Sequence, residues 1–474
     1  MTSIPAHSTG EQGWALAAEW GAGNRMNELE TLLWRSERSP RQTSATALLM
    51  MLDTEPEWDR LRAAHDWAAR LVPRMREHVL EPAVPVGPPA WVPDDRFDLD
   101  HHLRRLRLPA PGGQAQLLAF VEDAATAPLD RDRPLWEGTL IEGLPHGRAA
   151  YLLRVHRSLT DGLGDIPLVS LIQSRRREHT PGKPVASPRP EAIRPDPMSL
   201  ALADLSRQAL ALPLATGRLL AAGARALTHP GPAVASALSL AVSLRRAATR
   251  PVAGSPLFDG RGGTSWRFGL LECALDDLRA AGCAAGGSVT HAYLAALLGG
   301  MRRYHERHGI EIEELPAAMP GARHGSDDQP AGGWAGSVFG APTGIPDPAD
   351  RIAAIRGITM TLRVDSTMDG IAALAPLLNR FPAAVGAAAC RLSAAADMTV
   401  SHQLGAPYPT YLAGARVERV YPIAPMPGSA VTAAMLVQDG TCCIGLAMDG
   451  TVVPDPDVLV ECVGAGLEEV LALG

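Results

Sequence analysis

Apolar positions recur along the chain with two different periods, and their alternation predicts a mixed α/β fold. From Asn27, NELETLLWRSE has helical spacing, and SATALLMML is short, apolar and β-compatible. EPEWDRLRAAHDWAARLVPRMREHVL places Trp58, Leu61, His65, Ala68, Leu71 and Val72 on one face, which predicts a long amphipathic helix. FDLDHHLRRLRL (97–108) alternates like a strand, GGQAQLLAFVEDAATAPL reads as a helix, and TLIEGL and RAAYLLRVH read as two strands of a hairpin. Asp161-Gly162 then makes a turn and DIPLVSLIQSRRREH opens a helix. Prolines crowded between Pro181 and Pro197 break all periodicity, and residues 198–250 are Ala/Leu-rich and helical. Beyond Arg267, FGLLECAL reads as a strand, DDLRAAGCAAGG as a helix with a glycine stop, and SVTHAYLAALLGGMRRYHERHG as a long helix ended by Gly309. RIAAIRGITMTLR reads as a helix and AVTAAMLVQD with TCCIGLAMD as a strand pair.

This pattern divides the chain into a loosely ordered tail (1–22), an N-terminal α/β unit (23–178), a Pro-rich linker with a helical crossover (179–262) and a C-terminal α/β unit (263–474). Composition narrows the function classes. The 474 residues are 46% hydrophobic and 20% charged, enough for large cores, and the net charge of −7 leaves no global basic field for nucleic acid. Against that background 198–250 is locally basic, with six arginines facing Asp204 alone, which reads as a solvated crossover face or as a peripheral contact with anionic lipid headgroups or a CoA phosphate. The six cysteines show neither CxxC nor Cys/His metal spacing, and they read as reduced, buried small hydrophobes of a cytoplasmic protein. Neither an export signal nor an apolar run long enough to span a membrane is evident, and no Gly-rich phosphate loop occurs.

The most informative segment is YLLRVHRSLTDGLG (151–164), an apolar strand that carries His156 and Arg157 into a turn. Together with PLDRDRPLWEGTLIEGL (128–144), FDLDHHLRRLRLPAPG (97–112), WRSERSP and TYLAGARVERVYP (410–422), it resembles the wax ester synthase/diacylglycerol acyltransferase family of actinobacteria, from about residue 27 to the end of the chain. The resemblance implies two chloramphenicol-acetyltransferase-like domains around a central tunnel, joined by the crossover, with an acyl donor entering one side and an acceptor the other. It implies no cofactor: acyl-CoA or an acyl-carrier thioester is the substrate. The family signature is HHxxxDG, whose second histidine is the general base on the acceptor hydroxyl.

Here the signature reads His156-Arg157-Ser158-Leu159-Thr160-Asp161-Gly162. Arginine stays protonated and cannot act as the base, although it can pair with Asp161 or stabilise an oxyanion or carboxylate. His156 lies on the opposite face of the strand, where it reads as a satisfied core histidine. Other family landmarks differ as well: Thr290-His291 stands for an Asn-Asp pair, Ser401-His402-Gln403-Leu404-Gly405 for a Ser-Asn-Val-Pro-Gly run, Pro320-Gly321-Ala322-Arg323 for a PVSxR-like segment, and Gly333-Trp334 for a Gly-Asn element. His291 and His402 are therefore the candidates for a relocated base or acid, beside Arg157, because histidine titrates near neutrality. His291 can equally cap its helix. His156, Ser158, Asp161, Thr290 and Ser401 are candidate substrate contacts. His65, His101 and His102 read as packed or surface histidines and Trp136 as a core anchor.

Three functions follow as expectations. The first is acyl transfer from a thioester to a hydroxyl or amine, in lipid or specialised-metabolite biosynthesis. The second is a repurposed cyclisation or condensation catalyst on an acyl or polyketide-like intermediate. The third is a non-catalytic protein that binds a lipid or acyl-CoA.

Overall fold

A computed structural model describes residues 23–37, 45–85, 87–160, 166–179, 195–207, 252–260, 265–321, 335–365, 375–376, 378–381, 383–393, 396–425 and 428–474. The readings on 1–22, Asp161-Gly162, Ala322-Arg323, Gly333-Trp334 and most of the crossover lie outside them. In chain order the elements are α1 (Glu28–Ser36), β1 (Ala45–Leu52), α2 (Trp58–Leu71), β2 (Glu77–Leu80), β3 (Ala90–Pro93), β4 (Leu103–Arg107), α3 (Gln114–Thr126), β5 (Trp136–Glu142), β6 (Ala149–His156), α4 (Ile166–Ile172) and β7 (Gln173–Ser174). A helix α5 covers 197–207. There follow β8 (Trp266–Ala274), α6 (Leu275–Ala284), α7 (Val289–Arg307), β9 (Glu314–Gly321), β10 (Ala335–Pro342), α8 (Pro348–Asp365), α9 (Ala383–Ser393), β11 (Met398–Leu404), β12 (Thr410–Leu412), β13 (Ala415–Ile423), β14 (Val431–Gln438), β15 (Thr441–Asp449) and α10 (Pro456–Leu471).

Two mixed sheets organise these elements, one ordered β4-β5-β6-β1-β13-β12-β7 and the other β10-β9-β11-β14-β15-β8. The mixed α/β class read from the periodicity is what the chain adopts. In the first sheet β6 and β13 flank β1, both antiparallel to it, so strands from residues 410–423 complete a sheet begun by the first half of the chain. Apolar side chains of both sheets meet in one cluster, where Ala47, Leu49, Ile141 and Leu152 pack with Trp266, Phe268, Tyr421 and Cys443 beneath α3. Two further clusters fill the outer faces. One packs α2 and Trp136 against the first sheet, and the other packs α7, α8 and α10 against the second.

The predicted strand pairs form as hairpins. Trp136–Glu142 pairs antiparallel with Ala149–His156, and β14 with β15 around Asp439 and Gly440, whose φ values of 47° and 76° suit an Asp-Gly turn. Helix α7 runs as expected, with Gly309 beyond its end at φ 71°. Where α7 crosses α10 the backbones touch: a Cβ on Gly300 would lie 2.5 Å from Val463 Cα, and one on Gly466 2.4 Å from the Ala296 carbonyl oxygen.

Three element readings are corrected. The helix expected through 55–80 stops at Leu71, because Val72 is extended before Pro73 (φ −98°, ψ 110°); a 3₁₀ turn Pro73–Arg76 and strand β2 follow. Within 97–108 only Leu103–Arg107 is a strand, since the Asp98 side chain accepts from the Asp100 N–H and starts a helical turn over Leu99–His102. The helix opened by DIPLVSLIQ ends at Ile172, where Gln173 and Ser174 join the sheet beside β12.

Candidate active site

Strand β6 is buried along its whole length, and its last residue, His156, sits opposite Ala45. The imidazole is engaged at both nitrogens. Nδ1 accepts from the Ser158 N–H at 3.1 Å and lies 2.6 Å from Ser158 Oγ, which leaves Nε2–H to donate to Glu37 Oε2 at 2.9 Å. Trp34 meets the ring edge-on at 5.7 Å, and Arg131 lies 3.7 Å from the same Glu37 carboxylate while stacking over Trp34. His156 and Ser158 are 2% and 0% exposed, so this is a closed polar knot at the end of the strand. The half-buried Arg157 opens the 3₁₀ turn Arg157–Thr160.

The candidates of the second half lie where α7 begins. His291 occupies the third position of the helix, where its Nδ1 accepts from the Ser288 N–H at 3.1 Å in a capping box. Its Nε2 is 2.9 Å from Thr359 Oγ1 on α8. The sequence alternative of a capping role describes that arrangement. Thr290 points elsewhere: its Oγ1 is 3.3 Å from Nδ1 of His402 on β11. Met398 and Val400 belong to the cluster under α7, and strand alternation puts His402 on that same face and Ser401 on the opposite one. Thr290 and His402 are thus brought together, whereas Ser401 is not on their side of the sheet.

His402 differs from the other candidate histidines in its free edge. Its Nε2 is buried and has no hydrogen-bond partner among the described residues. Burial lowers its pKa below the ordinary 6.5, because the charged ring would lose hydration with no acid beside it. Donation from Nδ1–H to Thr290 leaves the Nε2 lone pair open, which is the form a proton acceptor needs.

His65 and His102 are packed core histidines. His65 is fully buried, with Nδ1 at 2.8 Å from the Leu61 carbonyl and Nε2 at 2.6 Å from the Tyr151 hydroxyl, and burial pushes its pKa down to about 4. His102 donates to the Trp136 carbonyl at 2.8 Å between the Phe97 and Trp136 rings, and burial brings it down to about 4 as well. Trp136 is 0% exposed and donates to the Met75 carbonyl, the anchor its place in Pro134-Leu135-Trp136 suggests. Among the described residues no cluster of three or more His, Cys, Asp or Glu side chains has metal-binding geometry.

Residues 26–293 match the wax ester synthase/diacylglycerol acyltransferase catalytic domain, and residues 335–470 match the WS/DGAT C-terminal domain. The chain belongs to this family. A Mycobacterium tuberculosis H37Rv protein provisionally named a diacylglycerol O-acyltransferase is 35% identical over 471 residues, covering 96% of this chain and 94% of that relative. A second protein of that strain, named in the same way, is 26% identical over 459 residues, covering 92% and 88% of the two chains. Among solved structures, the wax ester synthase/diacylglycerol acyltransferase from Marinobacter aquaeolei VT8 superposes with a TM-score of 0.65 at 21% identity, covering 94% of this chain and 98% of that one. The first condensation domain of the CDA synthetase shares the fold, with a TM-score of 0.58 at 15% identity and coverage of 94% and 96%.

In this WS/DGAT family member His156, which Arg157 follows in the chain, is locked to Glu37. Glu37, Arg131 and Thr359 were not among the sequence candidates. Glu37 stands 119 residues from its partner, at the end of the helically spaced NELETLLWRSE, and that local spacing does not announce so remote a contact.

Proposed function

We propose that the protein transfers an acyl group from a thioester, CoA or carrier-bound, to a hydroxyl or amine, with His402 as general base and Thr290 as the group that orients it. The observation that carries this reading is the His402 ring, held at Nδ1 by Thr290, lowered in pKa by burial, and presenting a buried Nε2 without a partner. An acceptor O–H gives its proton to Nε2 while its oxygen attacks the thioester carbonyl carbon. The tetrahedral intermediate then expels the thiolate, which recovers that proton from Nε2–H. Arg157, always cationic, serves binding or charge stabilisation in this scheme. Family membership supports an acyl substrate, and the names of the mycobacterial relatives favour a lipid acceptor.

The test is CoA release from a panel of acyl-CoAs with long-chain alcohol and diacylglycerol acceptors. The natural protein is run beside His402→Ala and Arg157→His. Acceptor-dependent release is expected from the natural protein, falling about 100-fold or more in His402→Ala. Release by Arg157→His alone would overturn transfer by the natural chain, and undiminished release by His402→Ala would overturn the base.

A further inference from the structure

Cys273 on β8 and Cys442 on β15 stand directly opposite each other in the antiparallel ladder at the end of the second sheet. That register puts their Cα atoms about 4.5–5.5 Å apart, inside the roughly 4.4–6.8 Å that a disulfide spans. The two side chains leave the sheet on one face. Cys442 belongs to the apolar cluster beneath α7, Cys273 packs against that cluster, and the two thiols, both free, are hydrogen-bonded to each other. Strand alternation turns the next residue, Cys443, to the opposite face, into the cluster between the sheets. Tyr293 of α7 lies in the same cluster as Cys442, and its hydroxyl is buried with no hydrogen-bond partner among the described residues. Burial, with both thiols nearby, pushes that hydroxyl's pKa up. A donor left without an acceptor gains one when either sulfur ionises.

The two sulfurs differ in access. Cys442 is 0% exposed, whereas Cys273 is half-buried on the last strand of the sheet. The first proton to leave belongs to the pair and the one that stays bridges both sulfurs, so the more exposed sulfur is available as the nucleophile. We propose that Cys273 and Cys442 form a reversible oxidation site for hydrogen peroxide that closes as a cross-strand disulfide. Cys273 attacks one peroxide oxygen: an S–O bond forms, the O–O bond breaks, and a sulfenic acid and one water result. Cys442 then attacks the Cys273 sulfur: the S–S bond forms, the S–O bond breaks, and hydroxide leaves with the second thiol proton as water. One peroxide is reduced by two electrons and two thiols are oxidised to one disulfide. The pair is set apart from His402, with β14 between β11 and β15, and stands whether or not that site transfers acyl groups.

The full chain is treated with a small molar excess of hydrogen peroxide, denatured in N-ethylmaleimide, and weighed by intact-protein mass spectrometry with and without prior dithiothreitol. The expected result is the loss of two alkylatable thiols per chain, restored by the reductant, with a proteolytic peptide linking Cys273 to Cys442 and the exposed Cys283 still alkylated. Cys442→Ala, with an unchanged circular dichroism spectrum, is expected to lose the link and to leave a sulfenic acid on Cys273 that dimedone labels. If that variant does not fold, the linked peptide of the natural chain decides alone. All thiols still alkylatable after peroxide, a link that uses Cys283 instead, or oxidation of Cys283 ahead of the pair would overturn the proposal. A folded Cys442→Ala that dimedone leaves unlabelled would overturn Cys273 as the sulfur that attacks.

Discussion

The histidine that ends β6 has no lone pair to offer, and the arginine that follows it stays protonated. His156 is committed to Ser158 at Nδ1 and to Glu37 at Nε2, whereas among the candidate histidines His402 has a buried Nε2 with no hydrogen-bond partner among the described residues. The first consequence is a pH profile. A base whose pKa burial holds below 6.5 is already neutral at pH 7, so acyl transfer is expected to rise through an apparent pKa under 6.5 and stay level above it, with that limb lost in His402→Ala. Thr290→Val removes the hydroxyl that holds Nδ1 and is expected to lower kcat about tenfold with KM little changed; an unaltered kcat would exclude Thr290 as a positioning residue. His65 and His102 have a separate effect, on stability. Both titrate near 4 in the fold and near 6.5 unfolded, so between those values the unfolded chain binds more protons. Stability is therefore complete above about pH 6.5 and declines as the pH falls towards 4, by at most about 1.4 kcal/mol per pH unit for each histidine. Urea midpoints at pH 7 and pH 5 check this, and equal midpoints would contradict it. At this scale the sequence was readable where a contact is local, as in the capping of α7 by His291, and silent wherever a partner is remote, as with Glu37, Arg131 and Thr359.

Helix α7 shows how an element delivers a site. Ser288 and His291 close its first turn, which fixes the backbone on both sides of Thr290 and turns that hydroxyl towards β11. One residue of the dipeptide Thr290-His291 thus caps and the other reaches the neighbouring strand, a division that no spacing rule reveals. The body of α7 is set by contact with α10, whose approach depends on the missing side chains of Gly300 and Gly466. Gly466→Ala would put a methyl group against the Ala296 carbonyl and the Gly300 N–H, so the helices must separate. We expect a loss of about 1–3 kcal/mol, measured as a lower urea midpoint at unchanged slope. Elements with a strong period and clear ends were legible in advance, as with β14 and β15 on either side of Asp439-Gly440 or α7 up to Gly309. The long helix expected through residue 80 was not, because the apolar stripe continues smoothly across Val72-Pro73 while the backbone cannot.

At the scale of the whole molecule the two halves of the chain share their central sheet. β1 lies between β6 of the first half and β13 of the second, and β13 also packs over the sheet that holds β14 and β15. The seam is reinforced across the chain: Glu122 on α3 accepts from the Phe268 N–H at 3.1 Å and pairs with Arg267, and Glu272 on β8 pairs with Arg419 and accepts from the Tyr421 hydroxyl. Periodicity alone gave strands on both sides of a linker and no hint that residues 410–423 cross to the other sheet, because pairing partners are chosen by packing rather than by local pattern. Opening β13 would leave β1 with an unpaired edge and expose the apolar cluster between the sheets, so neither half can unfold while the other stays native. Native-state hydrogen exchange is therefore expected to give the amides of β1, β6, β13 and β14 the same opening free energy, equal to that of global unfolding. Earlier exchange in β14 with β1 still protected would mean that the halves open separately and that the shared strand does not couple them.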